Sequence, residues 1–253
     1  MNITTFDTEK QRSPTGERFV VGVDEVGRGP LAGPVVAAAV AFRDVRFMIP
    51  PEHEKVFALI RDSKKLSEKQ REQVLVTIRD YFAIGIGIIP AETIDRVNIL
   101  EATFLAMKAA ITDLRRAMPE GVLQQALFLV DGNQRIPNFS GEQEALVGGD
   151  GISKSIAAAS IVAKVTRDRM MDEYDVEYPV YGFVRHKGYG TKEHMDALRK
   201  HGPCLIHRQS FRPVQLSSPD VVNKRFARDL QPRRGGKRVV GNTSVVGKSE
   251  ASG

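Results

Sequence analysis

Val23-Asp24-Glu25-Val26-Gly27-Arg28-Gly29-Pro30 decides the reading of this chain, because an apolar run stops at two adjacent carboxylates and a glycine-flanked arginine follows at once. The preceding Phe19-Val20-Val21-Gly22-Val23 reads as a buried strand. Gly33-Pro34 and the apolar run to Phe42 read as a second strand, paired with the first across a glycine and proline turn. Side chains alternate faces along a regular strand, so Asp24 and Glu25 converge on one ion only where the strand frays or bends. The glycines that follow are expected to supply that bend, placing a metal site beside a phosphate site.

Outward from this segment the chain alternates strands with helices. Ser67-Glu68-Lys69-Gln70 has the form of a capping box, and Val74, Ile78 and Phe82 continue from it at helical spacing. In Ala83 to Ile89 glycine alternates with isoleucine, which suits a strand approached closely by another backbone. Leu100, Phe104, Met107, Ile111 and Leu114 mark the core stripe of a long amphipathic helix. Ala126 to Val130 reads as a buried strand ending at Asp131-Gly132, so two buried strands each stop at an acid. Ser153 is expected to cap a helix running to Met171, and Thr191 another reaching His201. The pattern is that of an α/β fold.

Composition narrows the class. The 253 residues, 42% of them hydrophobic, are enough for one large domain with an appendage. Three parts are expected: a flexible segment over 1–17, a body over 18–216, and a basic tail over 217–253 made of a short helix and then disorder. No apolar run is long enough to cross a bilayer and no secretion signal opens the chain, which predicts a cytoplasmic protein without a membrane partner. Cys204 is the only cysteine, so an internal disulfide and a multi-cysteine zinc site are excluded. Of the net charge of +6, the stretch from Ser217 onward carries +5, with eight Lys and Arg against three acids. The body is nearly neutral, and overall charge says little about what it binds. Between Arg185 and Arg212, seven Lys and Arg lie among two acids and four histidines, which serves either as a phosphate-contacting face or as a solvated surface.

Asp24, Glu25, Asp131 and Asp150 are the candidate metal ligands, at strand ends and in an adjoining loop where open α/β sheets bind ligands. Like charges about 4 Å apart repel by roughly 4 kcal/mol at an effective dielectric of 20, and a bound cation removes that cost. Oxygen donors without a cysteine or histidine cluster favour Mg²⁺ or Mn²⁺. Two such ions suit phosphodiester hydrolysis. A bland alternative, acids that cap turns or pair with arginines, competes for each residue singly. Gly148-Gly149-Asp150-Gly151-Ile152-Ser153-Lys154-Ser155 differs from a P-loop only in Ser153, but serine lacks the backbone freedom required there and Asp150 would repel phosphate, so nucleotide hydrolysis is set aside.

The segment from Val23 to Val40 resembles the opening motif of the bacterial ribonuclease HII family. Asp62-Ser63-Lys64-Lys65-Leu66-Ser67, Val130-Asp131-Gly132, Gly149-Asp150, the block from Ala157 to Asp168, and His186-Lys187-Gly188-Tyr189-Gly190-Thr191 resemble its further blocks in the same order. The resemblance implies a ribonuclease H-like fold, with a central mixed β-sheet flanked by helices and a helical C-terminal part. It implies an endoribonuclease acting, as a monomer, on RNA–DNA hybrids and on single ribonucleotides in duplex DNA. Asp24, Glu25 and Asp131 match the family's metal ligands and Asp150 its fourth carboxylate. Gly27-Arg28-Gly29 match the loop that senses the 2′-hydroxyl, and Tyr189 the tyrosine that stacks on the following sugar. Lys64 is a weaker phosphate-contact candidate. Asp168 is left out of the site, as an acid equally suited to a structural ion pair with Arg167. Two rivals remain: a noncatalytic nucleic-acid-binding protein, and a nuclease confined to long hybrids.

Overall fold

The computed structural model describes residues 6–61, 63 and 66–217. Lys64 and the tail from residue 218 lie outside the described residues, and with them the phosphate contact, short helix and disorder expected there. In chain order the elements are α1 (Asp7–Arg12), β1 (Val20–Val26), β2 (Val35–Phe42), α2 (Glu54–Phe57), α3 (Glu68–Tyr81), β3 (Phe82–Ile89), α4 (Ala91–Val97), α5 (Ile99–Arg116), β4 (Leu127–Asp131), β5 (Glu142–Leu146), α6 (Lys154–Glu177), α7 (Phe183–His186), α8 (Lys192–His201) and α9 (Arg212–Gln215).

The five strands form one mixed sheet in the order β3-β2-β1-β4-β5. β1 pairs antiparallel with β2 and parallel with β4, while β5 lies parallel on the far side of β4. Helix α5 covers one face, burying its expected stripe of Phe104, Met107, Ile111 and Leu114 against Val21, Val23, Phe128 and Val130. Helices α6 and α3 cover the other, against Val20, Val36, Val40, Leu127 and Leu129. β2 is therefore buried along its whole length, which explains its alanine-rich, non-alternating sequence.

Close approach accounts for the glycine-isoleucine alternation of β3. A Cβ on Gly85 or Gly87 would come within 2.2 Å of the backbone of α5, at Leu114, Ala110 or Ala106. The helix thus sits nearer the sheet than side chains would allow. Helix starts follow the expected chemistry. Ser67 and Gln70 complete a reciprocal capping box on α3, Ser153 accepts from the Ile156 amide on α6, and Thr191 accepts from the His194 amide on α8.

Two expectations are corrected. Residues 6–12 are not a loose lead-in. Phe6 is buried against Phe42, Phe47 and Phe82, and Glu9 is buried with its Oε1 accepting from the Ser153 hydroxyl and the Ser155 amide. One aromatic residue and one carboxylate at a helix N-terminus dock a segment whose sequence has no periodicity. β5 was also missed, because Glu142, Gln143 and Glu144 form a half-exposed edge strand whose acids face Arg18 and Arg12 rather than the core.

Candidate active site

The register of β1 on β4 creates the site. Val23 pairs with Val130, so the next residue on each of these parallel strands is an acid, Asp24 beside Asp131. Alternation puts both on the sheet face covered by α6, the face of Leu129. β1 stays regular through Val26, with Asp24 and Glu25 in register with Ala38 and Ala37, so the strand does not fray as expected. It is the neighbouring strand, not a bend in β1, that brings Asp24 a second carboxylate.

Asp24 is 6% exposed, and its Oδ1 accepts from the Glu25 amide at 2.7 Å. Burial first, then the charges of Glu25 and Asp131, push its carboxyl well above the usual carboxylate range, with a contact to the Ser160 hydroxyl opposing the shift. Ser160 in turn is hydrogen-bonded to Ser63 at 2.8 Å, tying the loop before α3 to the site. Burial also raises Glu25, partly offset by Arg28, whose Nη1 lies 3.4 Å from Oε1. Asp131 Oδ1 accepts from the Gly149 amide at 2.7 Å, which brings the turn Gly149–Gly151, and with it the half-buried Asp150, against the end of β4.

This donor set fits a hard divalent cation. It consists of carboxylate oxygens, and among the described residues neither Asp24 nor Asp131 has an ion-pair partner to offset the mutual repulsion. The acids are not yet closed into a cage, however. Among the described residues no three His, Cys, Asp or Glu side chains are arranged to hold an ion, because Asp24 and Asp131 each take a backbone amide and Glu25 leans to Arg28.

Beside the acids, Gly27, Arg28 and Gly29 form a loop in which Gly27 is buried and Arg28 and Gly29 are exposed. Gly27 has φ +94°, and a Cβ there would stand 2.3 Å from Arg167 Nε and 2.8 Å from the Pro34 carbonyl oxygen, so only glycine fits. Tyr189, 43% exposed, borders the loop, with its Cε1 at 3.7 Å from where a Gly29 Cβ would be. The structure thus unites two candidates that lie 160 positions apart.

Three further outcomes differ from the sequence reading. Asp168 is a structural acid, but its partners are Lys164 at 2.6 Å and Arg71 at 3.7 Å rather than Arg167. The basic stretch from Arg185 is largely paired: Arg185 with Glu193, Lys187 with Asp172, and Lys192 and Arg199 with Asp196. Three of its histidines are buried, with His194 and His207 joined at 3.0 Å through their Nε2 atoms and His194 Nδ1 bonded to the Tyr189 carbonyl. Sequence reasoning also missed Arg167 and Arg208. Both are fully buried beneath the glycine loop, where they donate to backbone carbonyl oxygens, and burial lowers their guanidinium pKa values to about 10 and about 9. Neither an arginine on a helix, as Arg167 is, nor one in a basic loop, as Arg208 is, signals burial in a single sequence.

A mixed sheet in this strand order, with paired acids at the ends of adjoining strands and helices on both faces, defines a ribonuclease H-like fold. Ribonuclease H2 from Pyrococcus horikoshii superposes with a TM-score of 0.61 at 23% identity, covering 81% of this chain and 99% of that one. Bst-RNase HIII in complex with Mn²⁺ gives 0.59 at 17% identity, over 83% and 71%. At the sequence level the Ribonuclease HII family profile matches residues 21–214. The ribonuclease HII of Endomicrobium trichonymphae is 49% identical over 224 residues, which is 88% of this chain and 96% of that protein. The chain belongs to the ribonuclease HII family, and is an endoribonuclease of the ribonuclease H type acting on RNA in RNA–DNA hybrids. No helix among the described residues is long and apolar enough to cross a membrane.

Proposed function

We propose that this enzyme hydrolyses the phosphodiester on the 5′ side of a ribonucleotide, including a single one embedded in duplex DNA, leaving 3′-hydroxyl and 5′-phosphate ends. The observation that carries this reading is the juxtaposition of Asp24 and Asp131 with the Gly27–Gly29 loop, exposed at Arg28 and Gly29, and the Tyr189 ring beside it. Asp24, Glu25, Asp131 and Asp150 would hold two divalent cations, Mg²⁺ or Mn²⁺, once substrate phosphate completes the shell. When bound, such ions supply an activated water, in-line alignment and stabilisation of the leaving oxygen. Bst-RNase HIII, which shares the fold, binds Mn²⁺.

The chain's own groups do the recognition. Backbone groups of Gly27, Arg28 and Gly29 meet the 2′-hydroxyl, which donates as well as accepts and so is told apart from deoxyribose by fixed main-chain partners. Arg28, half-exposed and held to Glu25 only by a long contact, is free to turn to a neighbouring phosphate. Tyr189 offers its ring to the sugar that follows the ribonucleotide. Lys64 is a further phosphate contact, and the protein works as a monomer on the duplex.

The test is a labelled duplex with one ribonucleotide, incubated with Mg²⁺ or Mn²⁺ and compared with a long RNA–DNA hybrid. The reading expects a single cut 5′ to the ribonucleotide and a 5′-phosphate on the product. Digestion of the hybrid with the single-ribonucleotide duplex left intact would overturn it.

A further inference from the structure

Arg167 and Arg208 are the largest fully buried side chains of the described residues, and neither has a hydrogen-bonded carboxylate among them. Arg167 donates through Nε to the Pro34 carbonyl at 3.0 Å, through Nη1 to Lys187 at 2.9 Å and through Nη2 to Ala32 at 3.0 Å. Arg208 donates through Nε to the Gly33 carbonyl at 3.0 Å, through Nη1 to Arg28 at 2.9 Å and through Nη2 to Gly27 at 2.5 Å. Five of these six acceptors lie between residues 27 and 34. Arg208 also lies over the Phe211 ring at 5.2 Å, but a buried cation whose hydrogen bonds all go to main-chain oxygens is a costly way to fill space, since apolar side chains of similar volume often serve stability as well. What the guanidinium does that an apolar group cannot is fix the direction of several peptide planes at once.

That direction has a geometric consequence. In a trans peptide the carbonyl of one residue and the amide of the next point opposite ways. With the Gly27 and Arg28 carbonyls drawn inward onto Arg208, the amides of Arg28 and Gly29 point outward. Neither amide donates to another described residue, and both residues are exposed beside Tyr189. We propose that Arg208, supported by Arg167, is a positioning residue for ribose recognition, presetting the Arg28 and Gly29 amides as a pair of donors for the 2′-oxygen. This rests on the ribonucleotide reading above, and goes beyond it by assigning discrimination to a residue that does not touch the substrate. A phosphate oxygen could use the same donors, and the experiment separates the two.

Binding is measured in the Asp24→Asn background, so that no cleavage intervenes, on a duplex with one ribonucleotide and on the all-DNA duplex of the same sequence. The parent is expected to prefer the ribonucleotide duplex by about tenfold. Arg208→Gln is expected to cut that preference to about twofold or less while all-DNA affinity stays within about twofold. Arg208→Lys, a point charge that cannot span three carbonyls, is expected to fall between them, and is the variant read if Arg208→Gln melts below the assay temperature. Leu114→Ala, a cavity under α5 on the far face of the sheet, controls for lost stability and is expected to keep the preference. An unchanged preference in the folded Arg208 variants overturns the proposal, as does an equal loss of all-DNA affinity, which would assign the donors to phosphate. A parent without any preference would instead refute the ribonucleotide reading itself.

Discussion

Replacing Asp24 with Asn is expected to abolish hydrolysis and yet make the metal-free protein more stable at neutral pH. The Asp24 carboxylate is nearly inaccessible and faces the charges of Glu25 and Asp131. Two unit charges about 5 Å apart repel by roughly 3 kcal/mol at an effective dielectric of 20. Part of this is relieved in the native protein by proton uptake at Asp24, leaving a net relief of about 2–3 kcal/mol for the neutral variant. Asparagine keeps the side-chain oxygen that accepts from the Glu25 amide, so little is lost in exchange. At roughly 2–4 °C per kcal/mol for a domain of this size, the melting temperature is expected to rise by about 4–12 °C. The pH dependence follows from the upward shift of the Asp24 carboxyl. Below the unfolded value of 3.8 the acid is neutral in both states and costs nothing, and the penalty grows as pH rises through the raised folded value. The advantage of Asp24→Asn therefore shrinks as pH falls towards the unfolded value of 3.8 and is larger at neutral pH. Added Mg²⁺ or Mn²⁺ offsets this, stabilising the parent by about 2.7 kcal/mol at a hundredfold excess over its dissociation constant, and reverses the ranking at a thousandfold excess, where the gain is about 4.1 kcal/mol. Melting curves in chelator and in metal, at both pH values, read all of this. An Asp24→Asn protein that melts lower than the parent at neutral pH in chelator would refute the electrostatic account.

Tyr189→Ala is expected to lower kcat/KM on the single-ribonucleotide duplex by about tenfold or more, from loss of stacking, with unchanged folding by circular dichroism; an unaltered value would remove Tyr189 from recognition. Asp168→Asn leaves Lys164 and Arg71 without their acid and is expected to cost about 2–3 kcal/mol, measured by urea unfolding. Since Asp168 lies eight residues, about 12 Å, along α6 from Ser160, its kcat is expected to stay within about threefold, and a collapse of kcat would return it to the site. Burial holds His194 at about 4 and His207 at about 3, so the stability of the neutral pair is full above the unfolded value of 6.5 and is lost as pH falls towards those folded values. The slope from two protons is about 2.7 kcal/mol per pH unit at most, and His207→Asn is expected to flatten it in urea titrations at several pH values.

The acids were legible because each ends an apolar run, at Asp24 and at Asp131, and strand ends bordered by glycine stand out in a single sequence. Helix starts at Ser67, Ser153 and Thr191 were legible for a similar reason, since a cap is local chemistry between a side chain and an amide three residues on. Docking of residues 6–12 was not, because Phe6 and Glu9 are held by contacts more than thirty and more than a hundred positions away. β5 was hidden because its side chains meet arginines instead of a core.

By itself the sequence determined the four core strands β1 to β4 and the long helices α3, α5, α6 and α8, which acids end the two central strands and which loop is glycine-rich, since these depend on period, capping and the steric limits of one or a few neighbouring residues. Only the tertiary structure decided that β1 runs parallel to β4 in the register that sets Asp24 beside Asp131, that Tyr189 borders Gly29, and that Arg167 and Arg208 turn inward to hold carbonyls while Arg185, Lys187, Lys192 and Arg199 pair with acids. Register and burial are properties of the whole packed sheet and its helices, in which the position of each side chain is fixed by partners far away along the chain.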